Sequence, residues 1–239
     1  MRALLRQAVR TTAPFGALAF WIGMLIAQRR YPSEYDWRYI TMSSLVYPER
    51  NPDGFLWARA GIGLCGLAGL YWTAGLIRAG QAGGGGWRLG IWTLGLGYLC
   101  MTCCAVLPEQ LLPIPRAHDL LALAAFVGIC AGTVLVTFTA VEQGRRRLGK
   151  LAGRRRLDAG VLAGIALFPM VLAALTQAYV AHALPTLPWV NLGWRARGVP
   201  AYLSFAFWEW VTCAVLSAYM TVLSLAVHAH NHPRPAAKA

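Results

Sequence analysis

Charge is scarce in this sequence. Only 13% of its 239 residues are charged, and nine are Asp or Glu, against roughly a quarter charged in an ordinary soluble domain. The shortage falls in several separate apolar runs, which excludes a soluble fold with one large core. Cysteine is missing from the polar loops: Cys65, Cys100, Cys103, Cys104, Cys130 and Cys213 all lie in apolar runs, which excludes a secreted disulfide framework. The familiar chemical signatures are missing too. Gly83-Gly84-Gly85-Gly86 has no Lys-Ser/Thr after it and reads as a flexible connector, not a phosphate loop. No HExxH and no GxSxG occurs, so neither a zinc-protease helix nor a nucleophile elbow is expected. The first apolar stretch ends at Gln28-Arg29-Arg30 without a small-residue cleavage site, so it reads as a retained helix.

What is present is apolar length. Hydrophobic residues make up 57% of the chain and the mean hydropathy is +0.48. Crossing ~30 Å of hydrocarbon takes about 20 apolar residues in a helix. Six stretches approach or pass that length, at about 13–28, 55–77, 87–107, 118–141, 159–183 and 201–228. The expected fold is therefore all-α, a single six-helix transmembrane bundle.

The net charge of +13 raises nucleic acid as a partner, but its distribution points elsewhere. Seven basic residues (Arg145, Arg146, Arg147, Lys150, Arg154, Arg155, Arg156) crowd one segment between apolar runs. Cytoplasmic loops carry such an excess, and it fixes orientation. With the N-terminus inside, fourteen basic residues fall on the cytoplasmic side and seven outside, with Arg59 inside a span. Both termini are expected in the cytoplasm of a cell that carries the chain in its inner membrane. The loop's echo, Gly144-Arg-Arg-Arg-Leu148 and Gly153-Arg-Arg-Arg-Leu157, reads as a duplicated topology signal that also attracts anionic headgroups. No nucleic acid is expected.

Small residues mark the expected helix contacts: Gly128 with Gly132, Gly160 with Gly164, and Gly61, Gly63, Gly66 and Gly69, since backbones in lipid associate by close packing. Pro169 should kink the fifth span. Trp21, Trp57, Trp87, Trp92, Trp189, Trp194 and Tyr202 sit near span ends, as an interfacial belt would. The segment Tyr31–Asp53 interleaves aromatics with balanced charge, unlike a linker, and should pack over the mouth of the bundle.

Polar chemistry converges on that outer side. Glu34, Asp36, Glu49, Asp53, Glu109 and Asp119 fall in outer loops or at an outer helix end, and Glu209 lies within the sixth span. An ionisable group at depth is costly and marks a site, so Glu209 should face the bundle interior, with Arg59 its expected partner ahead of His118 and His182. Arg59, Glu209, Ser44 and Asp36 are the candidate ligand-binding residues. His118, Asp119, His182 and Glu209 are the candidates for acid, base or metal-binding work if the protein is an enzyme. Each has a plainer role: Asp119 favours a helix dipole, the histidines hydrogen-bond at an interface, and Arg59 snorkels. No metal or cofactor site is expected from the spacing. Cys100-Met-Thr-Cys103-Cys104 holds a CxxC spacing, for which apolar packing is the expected role.

Two stretches carry a family resemblance. Tyr31-Pro-Ser-Glu-Tyr-Asp-Trp-Arg-Tyr-Ile-Thr-Met-Ser-Ser-Leu45 precedes Asn51-Pro-Asp-Gly54 and a glycine-rich helix, and Leu107-Pro108 precedes His118-Asp-Leu-Leu-Ala-Leu-Ala-Ala-Phe126. Together they resemble the bacterial and archaeal membrane family known as domain-of-unknown-function family 998. The resemblance implies a six-helix bundle with a polar outer pocket and brings no established reaction. This chain has Ile40-Thr-Met-Ser-Ser-Leu45 where the family more often carries an acid after Ile-Ser. The leading expectation is a protein that binds a lipid or other amphiphile in an outward-facing pocket, with membrane lipids and another membrane protein as partners. The alternative is an intramembrane enzyme acting on a lipid headgroup.

Overall fold

The structure, a computed structural model, describes residues 2–79, 84–107, 117–148, 152–183 and 193–230, with side chains over 11–78, 84–107, 117–139, 164, 167–183 and 193–224. It is all-α among the described residues. The helices are α1 (Arg2–Arg29), α2 (Ser43–Val46), α3 (Phe55–Ala79), α4 (Gly85–Val106), α5 (Ala117–Leu148), α6 (Ala152–Ala183) and α7 (Phe205–His230). Five of them, α1, α3, α4, α5 and α7, are long and apolar enough to cross a membrane, and α6 has a shorter apolar stretch, Leu167–Ala183, among its described side chains. The chain is a multi-pass membrane protein.

The expected spans fall on helices throughout, with three differences. Gly85 and Gly86 open α4 instead of extending a connector. The basic segment is helical up to Leu148 and again from Ala152, so the charges ride on helix ends. The last helix starts at Phe205, because Ala201–Leu203 forms a 3₁₀ turn after Pro200. Pro169 lies inside an unbroken α6.

The six long helices close into a ring in the order α1, α3, α4, α5, α6, α7, each packed on its two neighbours. Large apolar side chains point outward at helical spacing, as Leu18, Ile22 and Leu25 on α1 and Leu120, Leu123 and Val127 on α5. A polar solvent would penalise that arrangement; lipid does not.

Close approach comes from glycine. A Cβ on Gly97 would lie 2.5 Å from the Ile129 amide nitrogen, and one on Gly132 would lie 2.6 Å from that of Leu94, so α4 and α5 meet backbone to backbone. Gly23 does the same between α1 and α3, 2.5 Å from the Trp57 carbonyl oxygen. Gly164 meets nothing within 4 Å, and its proposed partner Gly160 lies outside the described side chains. The half of the bundle away from the Tyr31–Asp53 segment is filled by Trp72, Leu76, Trp87, Ile91, Leu94, Tyr98, Val136, Tyr219 and Met220. Thr137 of α5 bonds Tyr219 of α7 across its centre. Trp87 and Trp194 are therefore core residues rather than belt residues, while Trp57 and Trp92 stay exposed; Trp189 lies outside the described residues.

Candidate functional site

The Tyr31–Asp53 segment folds as a cap over one end of the ring. Its local geometry follows from side chains that satisfy the backbone. Tyr35 donates through its hydroxyl to the carbonyls of Ile40 and Thr41 and accepts the Trp210 indole N–H. Asn51, fully buried, donates to the carbonyls of Ala27 and Leu45. Leu45 and Val46 of α2 are buried with Phe20, Met24 and Ala58. These contacts remove apolar area from water and leave few free backbone groups, which is what fixes a segment without long helices.

A second clamp ties the cap to the chain before α7. Arg38 forks onto both oxygens of Asp36, at 2.8 and 2.9 Å, and Arg195 approaches Asp36 at 3.3 Å. The Arg38 hydrogen bond above all, with Arg195 adding, holds the Asp36 carboxyl below its ordinary range. Gly198, at φ 70°, turns the chain in the left-handed region that glycine adopts freely. Tyr39 donates to the Val199 carbonyl that follows, at 2.8 Å. Burial first, then the Glu209 carboxylate, pushes the Tyr35 phenol well up from its usual value, so it remains a hydrogen-bond donor.

Glu209 faces the interior, as expected of an acid in a span, but its partner is not Arg59. One carboxylate oxygen accepts the Met42 backbone N–H of the cap at 2.8 Å. Arg59 instead donates to the Val46 carbonyl and lies over the Phe55 ring. The reason is geometric: the cap lowers Met42 onto Glu209 and holds Arg59 beside Val46. This Glu209–Met42 hydrogen bond joins the second turn of α7 to the cap.

Beneath Met42 lies a cavity of about 170 Å³. Cap residues Met42, Ser43 and Val46 roof it, and Cys104, His118 and Glu209 line its upper end. Below them the walls are mostly small or apolar, with Ala13, Ala17, Ala122, Ala125, Leu216 and Met220 among them and Tyr98 and Ser217 adding hydroxyls. Lining residues run from Ala13 to Met24 on α1, from His118 to Ile129 on α5 and from Glu209 to Met220 on α7. At ~1.5 Å per residue each of those runs is roughly 16 Å. All three helices thus give the cavity the depth of about one leaflet of a ~30 Å hydrocarbon core. The volume spread over that depth leaves a slot about one hydrocarbon chain wide.

The structure brings together two of the acid–base candidates, His118 and Glu209, on the cavity wall. His118 is buried, with the Cys104 sulfur 3.4 Å from its Nδ1 and the Tyr47 ring 5.0 Å away, centroid to centroid. Asp119 is exposed and accepts the Tyr47 hydroxyl at 3.3 Å. His182 is exposed near the end of α6 and does not line the cavity. Ser44 is buried in the cap, bonded by Arg50 and by Thr41; its neighbour Ser43 is the serine on the cavity wall. Asp36 belongs to the ion-pair clamp and Arg59 to the cap's edge, neither on the wall. No group of three or more His, Cys, Asp or Glu side chains gathers in metal-binding geometry among the described residues. All six cysteines are free thiols.

Sequence reasoning chose Ser44 over its neighbour Ser43 and missed Cys104 and the Met42 amide as site groups. The alanines facing the slot carried a signal: Ala13 with Ala17 and Ala122 with Ala125 recur at helical spacing, on the helix faces that also carry Met24 and His118.

A helical ring with lipid-facing walls, a folded cap and an amphipathic slot between the helices defines a class, a polytopic membrane protein with a cavity among its helices. Its family follows from the match over residues 14–227 to the family described as protein of unknown function, DUF998; the chain belongs to that family. Searches of curated proteins and of solved structures found no match.

Proposed function

We propose that this protein binds a single-chain lipid or other amphiphile, tail in the slot and head group beneath the cap. The observation that carries the reading is the polarity gradient along one cavity: Glu209, His118 and Ser43 at one end, and below them walls mainly of alanine, aliphatic side chains and thiols, with Tyr98 and Ser217 the hydroxyls among them. A mainly apolar slot of this size suits hydrocarbon, since apolar cavities of ~150 Å³ take up apolar solutes, whereas polar end groups need a polar partner. In this reading the six long helices all cross the plasma membrane, both termini are cytoplasmic by the basic-residue bias, and the cap and slot mouth face outward. The protein serves as an accessory to another membrane system.

The test is saturable labelling of the purified protein in nanodiscs by a photoactivatable single-chain lipid. Wild-type protein should label saturably, and Ala122→Phe, which puts a ring into the slot, should abolish it while melting normally. Equal labelling of the two proteins would refute the reading.

The second reading, an intramembrane enzyme acting on the head group, draws on the Cys104–His118 contact at the same mouth. It requires turnover of an ester-bearing single-chain lipid that is lost in both Cys104→Ser and His118→Gln.

A further inference from the structure

The mouth of the slot is specific about charge. Its wall holds one acid, Glu209, and no Arg or Lys. Off the wall, Arg59 donates to the Val46 carbonyl, near enough to be felt by the Cys104 thiol, and Arg50 is engaged with Ser44 and the Tyr47 ring. An anionic head group entering here would meet the Glu209 carboxylate on the wall itself, with both arginines held off the wall by their own partners, in surroundings where charge interacts strongly.

Glu209 also has capacity to spare. Met42 N–H occupies one carboxylate oxygen, and the other has no protein partner among the described residues, although a carboxylate accepts at about four sites. At the same end of the wall Ser43 can donate or accept, while His118 is already engaged with Cys104. A hydroxyl matches this set, giving one hydrogen bond to the second Glu209 oxygen and taking one from Ser43. An ammonium would have to shed its hydration to enter, at a cost that pairing with one buried carboxylate does not by itself repay, whereas a hydroxyl enters at a smaller cost.

We propose that the head group accepted beneath the cap is uncharged and hydroxyl-bearing, that of a long-chain alcohol or a monoacylglycerol, and that Glu209 selects it against anionic lipids. This rests on the reading of the slot as a tail site. The selection requires no covalent step; it is a difference in binding between heads on the same chain.

The experiment competes two saturated single-chain ligands of equal length against the photoactivatable lipid in nanodiscs of uncharged lipid. One ligand is a primary alcohol and the other its methyl phosphate diester, permanently singly anionic. With the competition run at about pH 9, where the Glu209 carboxyl is ionised, the alcohol should compete at least about tenfold better, since one close like-charge contact alters Kd by that much even at a high effective dielectric. Glu209→Gln, which keeps an acceptor oxygen and removes the charge, should bring the two within about threefold of each other. If neither ligand competes and nothing labels saturably, the tail-site reading fails. If both compete equally in the wild type, or the phosphate wins and keeps its advantage in Glu209→Gln, the tail site stands and selection by Glu209 is overturned. Should Glu209→Gln loosen the cap, Asn51→Ala is the separate check: it strips the Ala27 and Leu45 carbonyls of their donor and leaves Glu209 in place. It should keep the alcohol preference, and loss of the preference there would show that cap integrity, not the Glu209 charge, sets it.

Discussion

Away from the cap, α4 and α5 approach so closely that a Cβ on Gly97 or Gly132 has no space, and Trp72, Leu76, Ile91 and Leu94 fill the ring's interior. At the cap end the same two helices present Cys104, His118 and Ala122 to a cavity, and order comes from hydrogen bonds into a folded segment. One half is held by packing and tolerates no added atom. The other is held by directional polar contacts around a space. The difference explains how a protein of this size keeps an open slot in a bundle that must not collapse: the packed half supplies the rigidity that the hollow half gives up.

The largest expected effect breaks the packed half. Gly97→Val drives a branched side chain into the backbone at Ile129 and should cost at least about 3 kcal/mol, seen as loss of a cooperative melt in detergent. Gly164→Ala, where nothing lies within 4 Å, should be neutral or stabilising by about 0.5–1 kcal/mol. Equal losses from the two would mean that close approach is not what secures the seam. Next, Asn51→Ala strips two carbonyls of their donor, at Ala27 and Leu45. The cost should be about 1–3 kcal/mol, with protease cutting concentrated in 31–53 and the rest of the ring intact.

A smaller effect on stability comes from filling the space. Ala122→Phe should shift the melt by about 1 kcal/mol or less, because the slot accepts the ring, where an added ring in a filled core costs about 1–3. A large loss would show that the slot is narrower than described. The smallest effect is on the clamp. The folded Asp36 carboxyl lies below its unfolded value, so its contribution is complete above roughly pH 4 and is lost as the pH falls through the depressed value. Amide exchange in 31–53 should quicken below that pH while α3–α5 stay protected, and Asp36→Asn should reproduce the change at neutral pH.

The packed half was largely legible in the sequence. Apolar runs located the six long helices, though α1, α5 and α6 run seven to eleven residues further at their basic ends, and Gly128 and Gly132 announced close contacts because only a missing side chain permits them. The hollow half was legible in part. Glu209 stood out as a buried charge, and the aromatic segment from Tyr31 as an ordered cap, since both break the pattern around them. The partner of Glu209 was hidden because it is a main-chain amide, which every residue but proline carries and no composition reveals. Ser43 and Cys104 were hidden for another reason. Which of Ser43 and Ser44 faces the cavity depends on how α2 is rotated, and Cys104 meets His118 only through the register of α4 against α5, both set by tertiary packing.

The central claim is that a hydrocarbon tail occupies the slot beneath Glu209. It is tested most directly by mapping the site of insertion of a long-chain alcohol carrying a photoactivatable group at its terminal carbon. The account predicts saturable labelling at the slot floor, at Ile129, Leu216 or Met220, with loss of that labelling in Ala122→Phe. Labelling confined to the outward-facing Leu120, Leu123 and Val127, unchanged by that substitution, would contradict it.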